Sequence, residues 1–331
     1  MTALKCPKSA KIFNWFSKII VPQNVIQAEE LFKIYEDVER DCVNCAYSLK
    51  YTLVYANTLP KLFLLKEDKS KMFDSHCHLQ DKRIYTHIDS VLERARLSGV
   101  NYMQCCGTKE SDWADAASIG SLHNSVICAF GVHPWYVDSL SVDWDIILKK
   151  YLSDNPNAAV GEIGLDYAIN NRNDDRQKII FTRQLDIAQA MKRPVSIHCR
   201  KAWGDLVSIL KKRDGLPYGG MVHSYSGSPD LIKTLENLGC YISFSGSILN
   251  ENAKRSHQSL KMVSPDKLLA ETDSPDMLPY QCEALFNEPS NLPVIIRKMA
   301  EILGESEERI ALLTLENGRR LFMKAQGYAQ C

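Results

Sequence analysis

Phe73-Asp74-Ser75-His76-Cys77-His78-Leu79 opens the organised part of this chain and decides how the rest is read. In an extended segment successive side chains point to opposite faces, so His76 and His78 share one face and Cys77 takes the other. Two imidazoles so placed at a strand end can chelate one cation. From Met72 onward, short apolar runs alternate with longer amphipathic ones. Strands are expected at 72–76, 102–107, 126–132, 158–163, 195–198, 221–223, 241–246 and 268–272. Helical patterns lie between them, for example at 175–191 and at 229–238, the latter closed by Gly239. Apolar strands joined by crossovers of a dozen or more residues imply a parallel sheet covered by helices. Eight such units after position 72 fit a (β/α)8 TIM barrel, whose usual length is about 250 residues. An open doubly wound sheet fits less well, because no glycine-rich phosphate loop follows the first strand.

In a barrel the C-terminal strand ends converge on one mouth, where catalysis is placed. The expected strands deliver a consistent set of side chains there: His76 and His78 from the first, Glu162 from the fourth, His198 from the fifth, His223 from the sixth and Asp273 from the eighth. The third adds His133, in Gly131-Val132-His133-Pro134. Each residue alone has an ordinary reading. A strand-end histidine is commonly a hydrogen-bonded structural group, Asp273 could cap a helix, and Glu162 could pair with an arginine. Together they argue for a metal site, since five of the eight histidines fall at strand ends beside two carboxylates. Four histidines and two carboxylates suffice for two cations, with Glu162 the natural bridge and Asp273 placed to orient or deprotonate a water. Neutral imidazole with carboxylate suits Zn or Mn and tolerates Mg. Cys77 and Cys199 alternate with ligands along their strands and should point away.

The totals set limits. Lys+Arg and Asp+Glu are equal at 40 each, so no overall basic bias advertises a long duplex footprint. Residues 73–331 carry 29 basic against 32 acidic residues, so attraction to a polyanion there must be local or supplied by metal. The eleven cysteines are odd in number and scattered, several in apolar strand-like runs, which fits a reducing compartment. Residues 1–71 read as an extension of unknown role, mainly helical at 27–47, attached to a hydrolase barrel at 72–327. Four lysines and no acid in the first 28 residues leave organelle targeting open beside a cytoplasmic or nuclear location. No run of about 18 apolar residues implies membrane insertion. The size suits a monomer.

FDSHCHL, GVHP, GEIGLDY, HCRKAW, HSYSG and ETDSP follow in this order, and the set resembles the TatD family of metal-dependent deoxyribonucleases over roughly residues 73–325. The resemblance implies a TIM barrel, two divalent ions (Mg, Mn or Zn), and hydrolysis of DNA phosphodiesters by a two-metal-activated water. It implies 3′→5′ exonuclease action, and single-stranded or frayed ends as substrate. Carried over by position, the metal ligands are His76, His78, Glu162, His198, His223 and Asp273, with Asp273 and Glu162 catalytic. The resemblance puts His133 against the scissile or an adjacent phosphate. Arg200 is a plausible phosphate fork, and Tyr225 and Ser226 fall in a loop at the substrate entrance. Residues 1–71 have no counterpart in the family pattern. One competing reading is an ester or amide hydrolase, such as a D-aminoacyl-tRNA deacylase. The binuclear enzymes that bridge their metals with a modified lysine are disfavoured, because Glu162 has no lysine beside it. The other is a scaffold without activity, which would be expected to lack at least one ligand.

Overall fold

The computed structural model describes residues 71–170, 172–279 and 284–323, so the extension and its helix expected within 1–71 lie, but for residue 71, outside them. Eight strands run parallel in sequence order: β1 Met72–Cys77, β2 Val100–Cys106, β3 Val126–Phe130, β4 Ala159–Asp166, β5 Val195–Arg200, β6 Gly220–Val222, β7 Cys240–Phe244 and β8 Leu268–Ala270. β8 returns to β1. That seam is held by Asp273 N–H to the His76 carbonyl (3.0 Å), His78 N–H to the Ser274 carbonyl (2.6 Å) and Thr272 N–H to the buried Asp74 carboxylate (2.9 Å). The result is the expected TIM barrel. Among the described residues no helix is long and apolar enough to cross a membrane.

Alternate strand positions feed two apolar layers. One face of β3 gives Val126, Cys128 and Phe130 to the layer between barrel and helices, while Ile127 and Ala129 join Phe73, Ala159, Met221, Tyr241 and Leu269 in a smaller cluster. Strands buried on both faces are expected where helices cover a parallel sheet. The six free cysteines seen here, Cys77, Cys105, Cys106, Cys128, Cys199 and Cys240, are all buried. Cys77 and Cys199 sit in the outer layer.

The helix Asp174–Ala190 does most to position the mouth. The Asn173 side chain accepts from Arg176 N–H, and Asp174 and Asp175 lie in the first turn, where the helix dipole favours negative charge. Its inner stripe includes Ile180, Phe181 and Leu185, but also two buried glutamines. Gln184 accepts from Val132 N–H (2.7 Å) and donates to its carbonyl (3.1 Å). Gln177 accepts from Asp166 N–H (2.9 Å) and donates to the Asp166 carbonyl (3.2 Å). Each amide thus satisfies a buried backbone pair at a strand end that the ladder no longer serves. The segment expected to be a single helix at 229–238 is a 3-10 turn, Pro229–Leu231, running into the helix Ile232–Asn237. Gly239 follows at φ +88°.

Candidate metal centre at the barrel mouth

β4 is longer than its apolar run suggests, because Gly164 lets it continue alongside β5. Gly164 sits at φ +152°, and a Cβ there would lie 1.9 Å from the His198 carbonyl oxygen. The close approach sets Gly164 against His198 and Asp166 against Arg200 across the ladder. Asp273, just past β8, has φ +56°, a left-handed conformation that costs a non-glycine residue about 1 kcal/mol or more. Such strain persists where surrounding structure fixes it, and here the seam bond from Asp273 N–H to His76 does so.

Glu162 is at the centre and 2% exposed. Its two oxygens face different groups. Oε2 lies 3.4 Å from His76 Nε2 and 3.5 Å from His78 Nε2, and these nitrogens are 3.8 and 3.5 Å from Asp273 Oδ1. Oε1 lies 2.8 Å from His223 Nε2, 2.9 Å from His198 Nδ1 and 3.4 Å from His133 Nε2. Atoms bound to one cation at about 2.0–2.2 Å stand roughly 3.0–3.5 Å apart, so most of these separations are edges of a coordination shell. Buried His76 Nε2 has no hydrogen-bond partner, an orphan that a cation would satisfy. His76, His78 and Asp273 form one compact donor group, His76, Glu162 and His223 a second, and His133, Glu162 and His198 a third.

The far nitrogens of His76, His78 and His198 are also committed, while that of His223 has a carboxylate near it but no hydrogen-bond partner. His76 Nδ1 meets Ser196 Oγ at 3.0 Å, and His78 Nδ1 donates to the Cys106 carbonyl at 2.8 Å. His198 Nε2 lies 3.3 Å from Asp166 Oδ2, and His223 Nδ1 faces Glu271 Oε1 at 3.4 Å. Metal-binding histidines use such partners to fix ring orientation and raise basicity. Asp166 and Glu271 were quoted within the sequence motifs without a role. Both are fully buried carboxylates, and the signal that could have flagged them is charge inside otherwise apolar strand ends.

Without a cation, protons balance these carboxylates. Burial opposes a charged His78, yet Asp273 and Glu162 outweigh it and lift its pKa to about 9. His223 and His198 are raised against burial in the same way, His223 by Glu162 and Glu271, His198 by Asp166 and Glu162. Burial favours a neutral Glu162, but the surrounding imidazoles, His223 foremost, hold it well below the usual range. His76 moves the other way, lowered by burial. Burial also pushes His133 down to about 3, and its Nδ1 accepts from Trp135 N–H at 3.2 Å. His133 therefore presents a neutral Nε2–H, a donor to an anion more than a ligand.

The remaining expected contacts separate. Arg200 and Ser226 are exposed. Tyr225 is 1% exposed, packs against Trp203 (centroids 4.9 Å apart), and donates its hydroxyl to the Ser228 carbonyl at 2.7 Å. Its ring is a wall of the loop, and its hydroxyl is already used.

A parallel eight-stranded barrel with histidines and carboxylates gathered at its C-terminal mouth defines a metal-dependent hydrolase. The family model of TatD related DNases matches residues 73–323, and the chain belongs to that family. An uncharacterized metal-dependent hydrolase of Bacillus subtilis (strain 168) is 32% identical over 253 residues, 76% of this chain and 98% of its own length. A protein of Erwinia tasmaniensis named as a 3′-5′ ssDNA/RNA exonuclease is 30% identical over 257 residues, 76% of this chain and 99% of its own. The crystal structure of a TatD homologue from Escherichia coli K12 superposes with a TM-score of 0.74 at 28% identity, covering 77% of this chain and 99% of that one.

Proposed function

We propose that the chain hydrolyses phosphodiester bonds at single-stranded or frayed DNA ends, in the 3′→5′ direction, with two divalent cations. The carrying observation is the division of Glu162, one oxygen toward His76 and His78 and the other toward His198 and His223. A carboxylate so divided could serve two cations at once, which supports this reading. His76, His78, Glu162, His198, His223 and Asp273 would hold them. Bound Mg²⁺, Mn²⁺ or Zn²⁺ would supply Lewis acidity toward the phosphate and acidity to water. Asp273, whose side chain is 14% exposed, orients the attacking water and takes its proton. His133 donates Nε2–H to a phosphate oxygen, and exposed Arg200 steers the backbone. The relative named as an ssDNA/RNA exonuclease supports nucleic acid as the substrate class.

The test pairs metal analysis with product analysis on an end-labelled oligonucleotide. Mononucleotides should appear one at a time from the 3′ end in a metal-dependent manner. Equal activity in a Glu162→Ala control would sink the proposal.

A further inference from the structure

The rim of the mouth carries a large aromatic ring that hydrolysis itself does not require. Trp135, in the 3-10 turn Pro134–Tyr136 that follows His133, is 53% exposed. A lone exposed aromatic is common on protein surfaces, but this one is anchored. Its Nε1–H donates to Asp166 Oδ2 at 2.8 Å, and Asp166 is fully buried. The same carboxylate oxygen lies 3.3 Å from His198 Nε2. The indole also meets the His133 ring nearly perpendicularly (86°), with centroids 4.8 Å apart. Two links therefore tie Trp135 to the cluster, one through Asp166 and one through His133. Beneath it, Gln184 clamps the backbone of Val132. Positive charge stands nearby, with Lys109 Nζ 4.9 Å from the Tyr136 ring centre.

We propose that Trp135 is a stacking platform for the nucleobase beside the scissile phosphate, and that it selects unpaired ends. This rests on the phosphodiesterase reading above. Every base has a π-face, so an aromatic platform tolerates sequence. A base inside a duplex has both faces covered by its neighbours and a terminal pair offers only its outer face, so a frayed or single-stranded end reaches the ring most freely. Asp166 sets the tilt of the indole and at the same time orients His198, which couples base placement to the metal cluster.

Stacking on an aromatic side chain is worth about 1–3 kcal/mol per base, which corresponds to roughly 5- to 150-fold. Trp135→Ala should therefore raise KM on a single-stranded oligonucleotide by about tenfold or more, and Trp135→Phe should recover most of that loss. The decisive comparison uses an oligonucleotide whose two terminal nucleotides lack bases. The unaltered enzyme should discriminate against it, and Trp135→Ala should not. Equal losses on both substrates, or no loss on either, would overturn the platform. Tryptophan fluorescence gives an independent readout, taken as the difference between the unaltered chain and Trp135→Phe. An uncleavable phosphorothioate oligonucleotide should quench that signal, and its baseless counterpart should not. If no oligonucleotide is hydrolysed, the phosphodiesterase reading falls, while quenching that ignores the base, or its absence, overturns the platform.

Discussion

Replacing Glu162 by glutamine keeps the shape of the side chain and removes its charge, which isolates what the charge contributes. Five imidazole nitrogens lie between 2.8 and 3.5 Å from its oxygens, so any cation held by those rings also faces this carboxylate. Two unit charges about 4 Å apart interact by about 4 kcal/mol at an effective dielectric of 20. Losing one such interaction per cation weakens each binding step by on the order of a thousandfold. His133→Ala removes only a neutral donor. A hydrogen bond to a charged partner is worth about 1.5–3 kcal/mol, or roughly ten- to 150-fold, and that loss should fall on turnover. Calorimetric titration of both variants with Mn²⁺, beside their rates of nucleotide release, reads the two effects separately. Glu162→Gln should lose both binding steps, and His133→Ala should keep them. Wild-type Mn²⁺ affinity in Glu162→Gln, or a larger loss of affinity in His133→Ala, would refute the bridging argument.

Proton–metal competition predicts a pH dependence. His78 is raised from 6.5 to about 9, so its contribution to the metal-free fold is complete below about 6.5 and is lost as pH rises through 9; His198 and His223 are raised in the same direction. Cations need these rings neutral, so affinity should climb over the same window, and the rise in Tm on adding Mn²⁺ should be larger at pH 8.5 than at pH 6.5. A rise that stays constant or shrinks would contradict the protonation assignment. Gly164→Ala would push a methyl into the His198 carbonyl and should cost at least about 2 kcal/mol in denaturant unfolding. A loss below 0.5 kcal/mol, taken as an order-of-magnitude threshold of roughly neutral surface change, would mean that β4 and β5 can separate freely. A chain starting at Met72 should retain metal-dependent activity, measured on the same oligonucleotide, and an inactive but folded product would assign the extension a catalytic role.

The barrel was legible because its strands are apolar on both faces and stop at polar residues. β1 begins at Met72 as expected, and β5 begins at Val195. Strand ends were less so. β3 stops at Phe130, before Val132, since Gln184 takes over that residue's backbone bonds, and β4 runs on to Asp166 because Gly164 permits the approach to β5. The histidines and carboxylates of the mouth were visible through their spacing and position. The partners behind them were not. Asp166 stands in sequence as a charge at an apolar strand end, but only the folded chain sets it between Trp135 and His198. Tyr225 shows the converse, a motif residue whose hydroxyl is used within its own loop.

The seam between β1 and β8 bears on when this chemistry can first exist. Asp74 and Thr272, which meet across it, are 198 residues apart in the chain. His76 and His78 are among the first barrel residues a ribosome would release, while Asp273 emerges only after all eight strands have been made. A nascent chain therefore holds half of the proposed cation shell with nothing to complete it. The hydrolytic centre closes with the last turn of the barrel, so a truncated or stalled product is an incomplete enzyme by construction.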